Sequence, residues 1–172
     1  MKGNLIMTPE LQQAFEYNMD MLDSAIKEMR RVAHNMMPEV LVRFGLDKAL
    51  RDFCDDVNGA GALKVSYQSV GMEQVEVQQT TAIAVYRIAQ ELLNNTIKHA
   101  GASSAIIQLS KTASGIDLTV EDDGKGFDTR ILTESKGMGW SNIQNRVDYL
   151  KGRLDILSVP GKGTSVHIEI DA

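Results

Sequence analysis

The sequence predicts an α+β fold preceded by a segment of helical bundle, and three observations carry that reading. From Phe15 to Met36 apolar residues recur at alternating spacings of four and three, the seam of a helix that packs lengthwise on other helices. Beyond Gly61 the period changes, and short strand-like runs interleave with one long helical pattern. Turn residues cluster between the runs, as at Asn58-Gly59-Ala60-Gly61 and Pro160-Gly161-Lys162-Gly163-Thr164.

Taken in chain order, Thr8-Pro9 reads as an N-cap followed by proline at the first helical position, where no amide partner is lost. The seam Phe15, Met19, Leu22, Ile26, Met29, Ala33, Met36 cannot be buried by one helix alone. It calls for a partner helix, from other sequence or a second subunit; the alternative is a helix folded onto its own domain. Pro38 ends or kinks this helix. Leu46, Ala49, Leu50, Phe53, Cys54 and Val57 make a second, shorter amphipathic helix that closes at Asn58–Gly61, and the domain boundary is expected there. Residues 63–70 then read as a strand, about 77–100 as a long helix, and 104–120 as a strand pair turning near Ser114-Gly115. Residues 122–139 are glycine-rich and loop-like, and 141–150 are helical, with Gly152 as the C-terminal stop. Strands over 153–159 and 165–170 meet at the hairpin turn of residues 160–164. No internal repeat or low-complexity tract interrupts this order.

At 172 residues and 43% hydrophobic, the chain has the composition of a globular protein with one well-buried domain and an appendage. A formal net charge of -5 and the lack of a Lys/Arg-rich stripe argue against a general grip on nucleic acid or anionic lipid. Cys54, the single cysteine, lies within an apolar helical set and reads as a small core residue in a reducing compartment. No apolar run approaches the roughly 20 residues of a membrane helix, and the N-terminus lacks a signal-peptide layout. The expected location is cytoplasmic, with any membrane attachment made through sequence outside this chain.

Four constellations carry chemistry. On the long helix, Arg87, Glu91, Asn94, Asn95 and Lys98 fall toward one face while Val85, Ile88, Ala89 and Leu92 take the other. Adjacent asparagines are poor helix formers, so propensity gives no reason for them there. An asparagine carbonyl is a hard oxygen suited to Mg²⁺, and a nearby glutamate can hold metal-bound water or take a proton; an ordinary exposed face is the alternative. Asp122-Asp123-Gly124-Lys125-Gly126-Phe127 follows the alternating Ile116, Leu118, Val120. A strand-end carboxylate flanked by glycines can meet a flat heterocycle edge-on and accept from an amino group, although an acidic turn reads the same way. Gly137-Met138-Gly139 precedes the helix expected at Ser141, where bare amides and the helix dipole favour phosphate oxygens. Gly161-Lys162-Gly163-Thr164 taken alone is a hairpin turn.

In this order the four stretches resemble the sequence boxes of the Bergerat-fold (GHKL) ATPases, a superfamily shared by histidine kinases, DNA gyrase, Hsp90-type chaperones and MutL repair proteins. The resemblance covers residues 61–172 and implies a two-layer α/β sandwich, a mixed sheet with helices on one face. ELLNNTIKHA is similar to the N-box of histidine kinases. By motif position Asn95 is then the Mg²⁺ ligand, Glu91 the polar or basic residue beside it, and Lys98 a phosphate contact. Asp122 corresponds to the adenine-reading carboxylate, Gly124 and Gly126 border the adenine, Gly137 and Gly139 belong to the second glycine box and the lid, and Thr164 matches the final threonine. Residues 127–137 correspond to a short lid. RRVAHNMMPEVLVRFGLDKAL resembles the end of the second bundle helix in sensor kinases paired with helix-turn-helix response regulators. The resemblance thus implies residues 1–58 as a partial dimerisation and phosphotransfer region and 59–172 as the ATP-binding catalytic domain. ATP and Mg²⁺ are the implied cofactors, a response regulator and a second copy of the chain the implied partners.

The chain departs from that pattern in two places. The family's phosphoacceptor histidine is followed by an acidic residue, and no His-Asp or His-Glu pair occurs here. The acceptor is therefore expected outside this chain and His34 is read as structural; the alternative, His34 as acceptor four residues before Pro38, meets Asn35 where an acidic partner would orient the imidazole. His99 and His167 are also read as structural. Trp140 replaces the leucine more usual after the second glycine box. The competing functions are a serine kinase restraining a sigma factor, a gyrase- or chaperone-type ATPase, and a non-catalytic ATP-binding or dimerisation module.

Overall fold

The computed structural model describes residues 12–13, 15–19, 21–22, 39–73, 75–134 and 138–171. The chain divides into two compact units, Met1–Pro38 and Glu39–Ala172. In the first unit the described residues are helical, and the seam residues Phe15, Met19 and Leu22 are exposed. The Thr8-Pro9 start, the later seam positions, His34 and Pro38 lie outside the described residues.

The second unit runs α1 (Glu39–Ala60), β1 (Lys64–Val70), α2 (Gln79–Asn95) continued by a π-helical turn (Thr96–Ala100), β2 (Ser104–Lys111) and β3 (Gly115–Asp122). The short α3 (Ile131–Glu134), α4 (Met138–Tyr149), β4 (Arg153–Ser158) and β5 (Thr164–Asp171) complete it. The five strands lie in the order β1-β2-β3-β5-β4. β1 and β2 are parallel and every other pair is antiparallel, so the sheet is mixed as expected.

Alternation along the strands separates two faces. Ile107, Leu109, Ile116, Leu118, Val120, Val166, Ile168 and Ile170 are buried toward the helices, where they meet Val85, Ile88, Ala89 and Leu92 of α2 in one core. The opposite face is polar: Gln108, Thr119, His167 and Asp155 form one cross-strand row. His167 lies on that face with Nδ1 2.9 Å from the Thr119 hydroxyl, in keeping with a structural role. One solvated and one covered face are what a largely antiparallel sheet allows. Among the described residues no helix is long and apolar enough to cross a membrane.

The domain boundary lies earlier than expected. The compact unit begins at Glu39 rather than at residue 59, because α1 supplies Leu41, Leu46, Ala49, Leu50 and Cys54 to the core. Phe53 packs on Tyr86 with ring centroids 5.8 Å apart. The Tyr67 hydroxyl donates to Asp47 at 2.8 Å, and the Arg51 guanidinium lies 5.1 Å over the Tyr67 ring. Asn58 is bound to β1 as a neighbouring strand would be: its side chain accepts from the Val65 N–H at 2.7 Å and donates to the Val65 carbonyl at 2.8 Å. The Asn58–Gly61 signal therefore ends a helix, not a domain. Gly45 kinks α1 at φ 80°, ψ -179°, just before the amphipathic run that begins at Leu46. Burial pushes the Cys54 thiol up to about 12, which suits a core residue.

Two further differences fall in the glycine-rich stretch. A short helix, α3, interrupts the expected loop, and just before it the Asp128 side chain accepts from the Arg130 N–H at 3.0 Å. α4 starts at Met138, not Ser141, so Gly139 lies within its first turn rather than before it.

Candidate functional site

A cavity of about 450 Å³ opens between α2 with its π turn, the end of β3, the following loop, and the start of α4. Leu92, Asn95, Thr96 and His99 line it, spaced by three and four so that one helix face supplies them all. β3 supplies Val120 and Asp122, the loop Lys125, Gly126 and Phe127, and β5 Thr164 and Val166. Ile131, Leu132, Gly139 and Trp140 close the remaining side, where the Phe127 and Trp140 rings meet at 6.0 Å. Polar groups thus converge in a largely apolar hollow, the usual composition of a small-molecule site.

Asp122 reaches the cavity by strand alternation. Ile116, Leu118 and Val120 point into the core, and Asp122 continues that face at the strand end. Its Oδ1 accepts from the Gly124 N–H at 2.9 Å, and its Oδ2 lies 3.2 Å from the Thr96 hydroxyl, which donates to it. Asp123 turns elsewhere and ties down the chain before β2. Its carboxylate accepts from the backbone N–H of Ser103 (2.8 Å) and of Ser104 (2.9 Å), and from the Ser104 hydroxyl (2.8 Å). The Ser104 amide, foremost among these donors, holds the Asp123 carboxyl below the usual carboxylate range.

The β4–β5 hairpin reaches the same point through register, which sets Thr164 opposite Asp122 and Ser158 opposite Thr164. Ser158 Oγ accepts from the Phe127 N–H at 2.9 Å and lies 3.0 Å from Thr164 Oγ1, binding the hairpin to the loop. Gly163 (φ 82°) passes so close to β3 that an added Cβ would stand 2.0 Å from the Asp122 carbonyl oxygen. At the other end of the cavity, a Cβ on Gly139 would lie 2.8 Å from Glu91 Oε1 and 3.5 Å from Asn95 Oδ1. Glu91 and Asn95 therefore face the same first turn of α4. The Asn95 Nδ2 is buried without a hydrogen-bond partner among the described residues, an unmet capacity that costs about 1–3 kcal/mol until something meets it.

Of the residues singled out in the sequence, Asn95, Asp122, Gly126, Gly139 and Thr164 share this cavity. Glu91 borders it through Gly139. Gly124 packs behind it: a Cβ there would meet the Ala100 carbonyl at 2.6 Å. Asn94 and Lys98 are exposed and outside the lining, so the polar helix face does not arrive as one cluster. Arg87 turns to Gln90, donating to it at 2.9 Å. Gly137 lies outside the described residues. Sequence reasoning missed Thr96 and His99 as lining residues, although the helical spacing from Leu92 and Asn95 pointed to both.

Comparison with known proteins gives a consistent set of matches. The family described as "Histidine kinase-, DNA gyrase B-, and HSP90-like ATPase" matches residues 80–172. The chain is 33% identical over 163 residues to the sensor histidine kinase ComP of Bacillus subtilis, covering 94% of this chain and 21% of that protein. It is 34% identical over 140 residues to the sensor histidine kinase MctS of Rhizobium johnstonii, covering 80% of this chain and 30% of the relative. Among solved structures, the histidine kinase domain of the Erythrobacter litoralis EL346 blue-light activated histidine kinase matches with a TM-score of 0.58 and 27% identity. That match covers 72% of this chain and 59% of the other.

Proposed function

Because the chain belongs to the histidine kinase-, DNA gyrase B- and HSP90-like ATPase family, we propose that it is the C-terminal, nucleotide-binding part of a two-component sensor histidine kinase. It binds Mg-ATP and presents the γ-phosphoryl to a histidine outside this chain, for relay to an aspartate of a response regulator. The single observation that supports this most is that Asp122 and Asn95, at a strand end and on a helix, line one cavity.

In this reading the adenine amino group donates to Asp122, and Phe127, Trp140, Leu92 and Val120 keep water from the base. The Asn95 Oδ1, beside Glu91, is a hard oxygen suited to a metal held by few protein oxygens plus substrate phosphates, while the unmet Nδ2 donor suits a phosphate oxygen. Bound magnesium supplies charge neutralisation to the phosphates. Lys98, one turn beyond Asn94 on the same helix, is assigned a phosphate contact by motif position, and the α4 amides around Gly139 add the positive end of a helix dipole. Transfer breaks the bond from the γ-phosphorus to its bridging oxygen and forms one to the imidazole nitrogen. ADP leaves with the bonding pair, and Glu91 is assigned the imidazole proton. Positioning does most of the work in such a transfer.

The exposed seam of Phe15, Met19 and Leu22 supports a homodimer through the helical region. The proposed setting is the cytoplasm, with the membrane reached only through sequence outside this chain. The test adds the acceptor helix, or the full-length protein, to this chain with labelled ATP and Mg²⁺. Acid-labile, base-stable phosphate on the added histidine is expected. Steady ATP turnover with no phosphoprotein would mean a gyrase- or chaperone-type cycle instead, and label on His34 would overturn the assignment of the acceptor.

A further inference from the structure

We infer that Thr96 is a positioning residue that sets the base selectivity of the cavity, by holding the Asp122 carboxylate in one orientation. The inference rests on the nucleotide reading above and extends it to a residue that contacts no reacting atom.

Thr96 is 5% exposed, one of few buried polar residues in the described chain. It stands where α2 passes into the π turn. Its Oγ1 lies 3.2 Å from the Leu92 carbonyl oxygen and 3.2 Å from Asp122 Oδ2. A hydroxyl has one proton, so the two acceptors compete for it. A helical threonine ordinarily gives that proton to the carbonyl one turn back. Here a carboxylate oxygen stands at the same distance as that carbonyl, and a hydrogen bond to a carboxylate is about twice as strong as a neutral one. The hydroxyl therefore serves Asp122.

The carboxylate is then held from both ends. Gly124, on its own loop, donates to Oδ1 at 2.9 Å, while Thr96 donates to Oδ2 from the helix. These two bonds fix the plane of the group and leave each oxygen a further lone pair. A carboxylate locked in that plane accepts from a 6-amino purine but sets its charge against the carbonyl oxygen of a 6-oxo purine. One free to rotate could turn aside and admit either. Thr96 thus acts twice, lowering the cost of ordering Asp122 for the amino base and keeping the oxo base out.

The test uses the whole chain in EDTA, so that only the base end is probed, with Trp140 as reporter. Trp140 is the only tryptophan and it lines the cavity. ATP and ITP are titrated into wild type, Thr96→Val and Thr96→Ser, with Thr96→Ala replacing the valine variant should that one not fold. In Thr96→Val, ATP affinity is expected to fall about tenfold, the scale of one hydrogen bond to a charged group. ITP should bind no more weakly than to wild type, so the ATP/ITP ratio collapses, and Thr96→Ser should restore it. An unchanged ratio, or equal loss of both nucleotides with a lowered Tm, would overturn the inference and leave Thr96 a packing residue. Absence of ATP binding to wild type would sink the nucleotide reading instead.

Discussion

At the scale of single residues, two adjacent aspartates show how fine structural distinctions follow from strand geometry. Asp122 continues the inward set of Ile116, Leu118 and Val120, so period-two alternation alone sends it toward the helices and Asp123 away from them. That assignment was legible in the sequence. The partners of Asp123 were not, because Ser103 and Ser104 reach it only once the β2–β3 pairing is formed. The lowered Asp123 carboxyl sets the sign of a pH effect. A group with a depressed folded-state value stabilises above its unfolded value and loses that contribution as pH falls through the folded one. Wild type should accordingly lose Tm as pH drops below about 4. Asp123→Ala should start lower at neutral pH and show a shallower acid limb, as thermal unfolding across pH 2–7 will show. Parallel curves would remove the carboxylate from that role.

At the scale of elements, helices and strands with clear periodicity read directly, from the Leu46–Val57 helix through β5. What failed was punctuation. Gly137-Met138-Gly139 suggested a loop, yet α4 starts at Met138, because Gly139 is needed for its lack of a side chain against Glu91 and Asn95 rather than for turning the chain. Gly45 carries the opposite lesson: nothing among the described residues lies within 4 Å of where its Cβ would be, and its backbone conformation is what requires glycine. Its φ and ψ fall in a region essentially closed to other residues, so Gly45→Ala should cost about 1–3 kcal/mol. Urea unfolding measures this directly, and a neutral substitution would show that the kink in α1 carries no strain requirement.

At the scale of the molecule, an amphipathic pattern shows that a helix has an apolar face but not which body covers it. The helix from Leu46 to Val57 was therefore assigned to the bundle side of a boundary near residue 58, whereas its buried face completes the core around Tyr86 and β1. A fragment of residues 59–172 loses Leu41, Leu46 and Leu50 from that core. At about 1.5–3 kcal/mol for each buried side chain, this rivals the 5–15 kcal/mol that holds an ordinary domain together. Residues 39–172 should unfold in one cooperative transition and residues 59–172 in none, by circular dichroism on heating. A cooperative, native-like 59–172 fragment would restore the later boundary.

The same whole-molecule view explains why the site was only partly visible beforehand. Asn95 and Asp122 carried motif signals and helical spacing implied Thr96 and His99, but the Phe127–Trp140 pair joins them only through the packing of the loop and α4 against α2. The most direct measurement is a titration of Mg-ATP into the wild-type chain and into Asp122→Asn, followed by Trp140 emission and by calorimetry. Saturable binding to wild type, weakened about ten- to hundredfold in Asp122→Asn, is the expected result for the loss of one charged hydrogen bond to the base. Equal affinity in the two proteins would contradict recognition of the base by Asp122.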